Sequence, residues 1–170
     1  MARNQEESWI ENGLIDNLRV RWIIRDKGKG DMVFVAQLEY TNRPEDKNTI
    51  LRWDGAHKNY HIDIYDSNGR PIRKEIRQSV LPSISEQVDI VFVDLEGNLS
   101  NMLDTKFHAD LLGEITSEAK IFQGRLSAIK EAITNQVSTN NQLKLGTRHL
   151  GQHLKAKAHI RGSLEVKLNK

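Results

Sequence analysis

Apolar and polar residues alternate with a period of two over the first half of the chain and recur every three or four positions over much of the second. Leu18, Val20, Trp22 and Ile24 interleave with Arg19, Arg21 and Arg25, the pattern of a strand with one buried face. After the turn-forming run Asp26-Lys-Gly-Lys-Gly-Asp31, a second strand alternates Met32, Phe34, Ala36, Leu38 and Tyr40 with Val33, Val35, Gln37 and Glu39, which predicts a hairpin. A loop over Thr41 to Asn48 leads to a third strand, Thr49 to Asp54, and a fourth, Tyr60 to Tyr65. Asp66-Ser-Asn-Gly69 predicts a turn, with Arg70 to Ile76 continuing the meander. Residues 1 to 16 read as a polar lead-in with one helical turn, anchored by Trp9 and Ile10.

The period then changes. Ser83 and Glu86 fit a capping box, and Ile84, Val88, Val91, Leu95, Leu99 and Met102 recur at helical spacing, although Val88 to Val93 is also β-branched enough for a strand. Phe107, Leu111, Ile115, Ala119, Phe122, Leu126, Ile129, Ile133 and Val137 predict one long amphipathic helix. Its stripe needs cover from the first helix and the sheet or from a second subunit, so a homodimer is expected as one solution. From Leu154 to Leu168 apolar residues alternate with Lys155, Lys157, His159, Arg161, Ser163, Glu165 and Lys167, predicting a strand from about Ala158, while 142 to 154 fits a short helix or a hairpin arm. The expectation is an α+β fold: an antiparallel β-meander packed with two helices, plus a basic C-terminal β-strand or hairpin. It divides into an α+β domain over 1–105 carrying a polar site, a long helix over 106–140 and a basic extension over 141–170.

Composition narrows the function classes. Cysteine is absent, which excludes disulfides, thiolate nucleophiles and cysteine zinc sites. No apolar run approaches the roughly 18 residues of a membrane span, and the polar opening residues lack an apolar leader core, so a cytoplasmic protein without a membrane partner is expected. The overall charge of +2 hides a division. Residues 141–170 hold seven Lys or Arg against one Glu, a net +6, which leaves −4 on the first 140. A basic tail on an acidic body suits a polyanion partner, or an intramolecular or intersubunit contact with that acidic body, with Lys144, Arg148, Lys155, Lys157 and Arg161 placed to follow a phosphate backbone.

Arg52 to Asp66 is the densest stretch of reactive side chains. Alternation puts Leu51 and Trp53 on one face and Arg52 and Asp54 on the other, then Tyr60, Ile62 and Ile64 against His61, Asp63 and Tyr65. Pairing of these strands gathers Arg52, Asp54, His61 and Asp63 on one polar face, with His57 on the connecting loop. Metal-independent ribonucleases need a base for the 2′-hydroxyl, an acid for the leaving oxygen and a cation for the phosphorane, roles open to His57, His61 and Arg52, with Asp54 or Asp63 fixing a tautomer. No metal or other cofactor is required by this chemistry. A divalent ion on His57, His61 and Asp63 is the weaker alternative, and a plain turn at Asp54-Gly55 beside a cross-strand Arg52 and Asp63 ion pair is the structural one.

The run from Trp22 through Met32-Val-Phe-Val-Ala-Gln-Leu-Glu-Tyr40 into Leu51-Arg-Trp-Asp-Gly-Ala-His57, then His61 and Asp63, resembles an uncharacterised family of small bacterial proteins with an Arg-Tyr/Trp-Asp-x-Ala-His motif. It is more remotely similar to TumE-type toxins of toxin-antitoxin systems. Gly55 departs from the usual Thr or Asn, and Lys58 and Asn59 stand where the first family has Gly. The resemblance implies a toxin-like, RNA-directed protein with an antitoxin-like partner and, in the sharper form, an endoribonuclease. The alternative is a non-enzymatic assembly module acting through the long helix and C-terminal strand.

Overall fold

A computed structural model describes residues 9–28, 31–55 and 58–142. The chain separates into two compact units, Met1–Ile133 and Thr134–Lys170. The first is α+β. Among its described residues six strands, β1 (Ile10–Ile15), β2 (Leu18–Asp26), β3 (Met32–Tyr40), β4 (Thr49–Asp54), β5 (Tyr60–Tyr65) and β6 (Pro71–Gln78), form one antiparallel sheet in chain order. The helices are α1 (Ile84–Val93), which runs through a π turn at Asp94–Asn98 into α2 (Leu99–Met102), then α3 (Thr105–Ser117) and helical residues 119–133, α4. In the second unit the described residues, 134–142, are helical. The expected basic strand lies outside the described residues.

The meander follows the alternation, and its edges add to it. Within 1–16, Ile10–Ile15 form a strand in place of the expected helical turn: Ile10 pairs with Trp22 and Asn12 with Val20 across β1 and β2. Asn12 and Gly13 break the apolar alternation there, so no period is legible, yet the Asn12 side chain accepts the Trp22 indole N–H at 2.9 Å. The turn at Asp66 forms as predicted, with its carboxylate accepting from the backbone of Asn68 and Arg70 at 2.8 and 2.9 Å. Gly69 is required, because it sits at φ +73 and a Cβ would meet Asp46 O at 3.0 Å.

Trp53, Tyr60, Leu51, Ile62 and Ile64 are each at most 1% exposed and pack with Phe34, Leu38, Val88, Val91, Phe92 and Leu95 in the core. Burying side chains of this size contributes about 1.5–3 kcal/mol each. The capping box is present: Ser83 accepts from Glu86 N, and Ser83 N donates to Glu86. The π turn brings Asp94 under the sheet, where its carboxylate accepts from Trp53 Nε1 at 2.9 Å and Arg77 Nε at 2.7 Å. The single long helix is instead two. Glu118 leaves helical geometry (φ −110, ψ 23) between α3 and α4, a one-residue break to which a spacing of three or four is blind. Leu111, Phe122, Leu126, Ile129 and Ile133 are buried within one chain, so this part of the stripe calls for no second subunit.

The join between layers is polar. β3 outruns β4, whose last residue paired with β3 is Trp53 opposite Ala36, so among the described residues the backbone of Met32 and Phe34 has no strand on that side. Gln87, fully buried on α1, fills the gap: its Oε1 accepts Phe34 N–H at 2.7 Å and its Nε2 donates to Met32 O and Pro82 O at 2.9 and 2.8 Å. Tyr60 OH donates to Phe34 O at 2.7 Å. Gln87→Leu keeps the volume but strands three backbone groups, and a loss on the order of 2–5 kcal/mol is expected in urea unfolding. A loss under about 1 kcal/mol would show that those groups find other partners.

Candidate functional site

The sheet's other face is polar along a whole row. Glu11 pairs with Arg21, Arg21 with Gln37, Gln37 with Arg52, Arg52 with Asp63, and Asp63 with Lys74, one residue from each of the six strands. Beside this row Asp54 stands opposite His61, and Arg19 opposite Glu39. The four described residues expected to converge do so, because β4 and β5 pair in the register their alternation requires.

Each charge has a defined partner. Arg52 donates to Asp54 at 3.0 Å and to Gln37 at 3.3 Å. The expected Arg52 and Asp63 ion pair is therefore replaced by contacts along β4 and across to β3, although the register sets the two opposite. Asp63 instead lies 3.5 Å from Lys74 Nζ and 3.5 Å from His61 Nε2. Asp54 also has Arg25 at 3.9 Å. Toward β1, Glu39 is 1% exposed and accepts from Arg19 at 2.8 Å and Arg21 at 3.3 Å, while Glu11 bridges the same two arginines. The guanidinium groups of Arg21 and Arg25 lie over the Trp9 ring at 5.3 and 5.8 Å. Arg19, Arg21 and Arg25 were legible as the polar positions of β2. Only their continuity with Arg52 and Asp63 needed the register.

His61 is the acid-base candidate among the described residues, and it is 2% exposed. Its Nδ1 lies 3.0 Å from Asn59 Oδ1 and its Nε2 lies 3.5 Å from an Asp63 carboxylate oxygen, so both ring nitrogens face acceptor oxygens. Burial lowers its pKa and Lys74 lowers it further, against the opposing pull of Asp63 and Asp54. Burial thus favours the neutral ring, the form a general base requires. His108, unremarked in the sequence, is also buried; its Nε2 is 2.9 Å from Tyr65 O at a kink in α3. His57, Lys144, Arg148, Lys155, Lys157 and Arg161 lie outside the described residues. Among the described residues, no three His, Asp or Glu side chains are grouped to hold a metal ion.

Burial lowers the pKa of His108 too, so both rings protonate more readily in the unfolded chain. Their contribution to stability is complete above the ordinary value of 6.5 and is lost as pH falls below it toward the lowered folded values. The urea midpoint is expected to drop between about pH 7 and 5, and His61→Gln with His108→Gln to flatten that drop. Equal slopes in the wild type and the double variant would show that neither ring is held neutral.

A family model described as a domain of unknown function, DUF7718, matches residues 2–111, which span all six strands, α1, α2 and the start of α3. Neither a curated protein nor a solved structure matches the chain, and nothing in these comparisons connects it with TumE-type toxins. With well over half of its length covered, the chain belongs to the DUF7718 family.

Proposed function

We propose that this chain is a toxin-like, RNA-directed protein whose polar sheet face carries out metal-independent endoribonuclease chemistry. What supports the reading is the juxtaposition of Arg52, Asp54, His61 and Asp63 on paired strands. In this mechanism His61 Nε2 takes the 2′-hydroxyl proton, the 2′-oxygen attacks the adjacent phosphorus, and Asp63 stabilises the imidazolium that results. Arg52, preset by Asp54 and Gln37, meets the phosphorane charge. His57 returns a proton to the leaving 5′-oxygen, and the basic residues Lys144, Arg148, Lys155, Lys157 and Arg161 add electrostatic affinity for RNA phosphates.

A second reading has its own observation. His61 is 2% exposed and the charges around it are mutually paired, as suits a structural ladder in a non-enzymatic interaction module. The two separate on one experiment. Induced expression of the wild type is expected to slow growth and fragment cellular RNA, and the purified chain to cleave single-stranded RNA in chelator. His61→Ala should lower cleavage by about 10²-fold or more with folding retained. Intact RNA and normal growth with the wild type would sink the enzymatic reading. The module reading instead expects truncation after Asn140 to remove a partner or oligomer, whatever stands at 61.

A further inference from the structure

Among the described residues, strand β6 is an open edge. It pairs with β5 on one side, and among the described residues no backbone group of Pro71–Gln78 bonds beyond that ladder. An edge of this kind is a template for another strand unless something blunts it. Its two faces have different chemistry. On the polar side, Ile72 and Ile76 flank Lys74 and are 43% and 53% exposed, and Val80 just beyond is 75% exposed.

On the other side a groove of about 730 Å³ opens between β6 and α1, with Ile90, Val93 and Met102 as its apolar lining. Four of its charges cancel: Glu75 lies 2.7 Å from both Arg73 and Arg77, and Asp94 lies 2.7 Å from Arg77. Glu86 and Asp89, on the helical wall, have no cation against them among the described residues. Glu86 bonds to Ser83, and Asp89 is exposed with no partner among the described residues. The groove therefore ends with a surplus of two negative charges, which disfavours a polyanion and favours a cationic occupant.

We propose that β6 accepts an extended strand from a protein partner, one that alternates apolar residues with Lys or Arg. A strand laid about 4.8 Å from β6 presents successive side chains to opposite faces. Its apolar residues then cover Ile72 and Ile76, while its cationic residues run their methylene stems past Ile90 and Val93 and bring their charges to Glu86 and Asp89. Affinity comes from the backbone ladder and selectivity from the alternation.

The test uses the full-length chain and a labelled nine-residue peptide alternating valine and lysine. Saturable binding is expected, with none for the counterpart alternating valine and glutamate. N-methylation of every second peptide amide should abolish binding in one of the two frames and leave it in the other, since only one edge of an added strand faces β6. Asp89→Lys changes an exposed side chain, so folding is retained, and it should weaken binding about tenfold at low salt, less as salt rises. Equal binding by both methylated frames, by the glutamate peptide, or by the Asp89→Lys chain would overturn the proposal, as would no binding at all.

Discussion

The structure turns on the backbone of β3. This strand is buried on both faces over most of its length, and it extends past the end of β4, so part of its ladder has to be completed by something other than a strand. Buried amide and carbonyl groups left without partners cost more than most side-chain contacts return. Gln87 and the Tyr60 hydroxyl supply those partners, and in doing so they dock α1 against the sheet at a fixed height. The π turn that follows then carries Asp94 to Trp53 and Arg77, tying the helical layer to the central and edge strands with one carboxylate.

With the helices committed to the apolar face, the other face is left to polar chemistry. Its row from Glu11 to Lys74 places charges of both signs along a line perpendicular to the strands, and cross-strand neighbours of this kind support the sheet while they are paired. The same pairing makes the candidate site orderly. Arg52 is held by two acceptors, and the His61 ring is oriented by Asn59 on one side and Asp63 on the other. An arrangement so constrained suits either preset catalysis or structural support, and geometry alone serves both.

Much of this was legible from alternation, since side-chain direction in a strand depends on position and little else. Arg52, Asp54, His61 and Asp63 were placed on one face from that rule, and the capping box at Ser83 marked the start of α1. What escaped has physical reasons. β1 carries Asn12 and Gly13 where a period would need apolar residues. The break at Glu118 costs one residue and leaves the apolar spacing intact. The partner of Arg52 is chosen among three acceptors within reach of a long side chain, which register does not decide. Gln87 looked like an ordinary helix residue, because the gap it fills exists only once β4 is seen to stop short.

The strand order has one more consequence, for the way the sheet assembles. Every strand pairs with its neighbour in the chain, so each new ladder closes only a short loop and forfeits little chain entropy in doing so. A sheet with that connectivity can grow from the β2 and β3 hairpin outward without waiting for distant segments to meet, and its low sequence separation favours rapid folding.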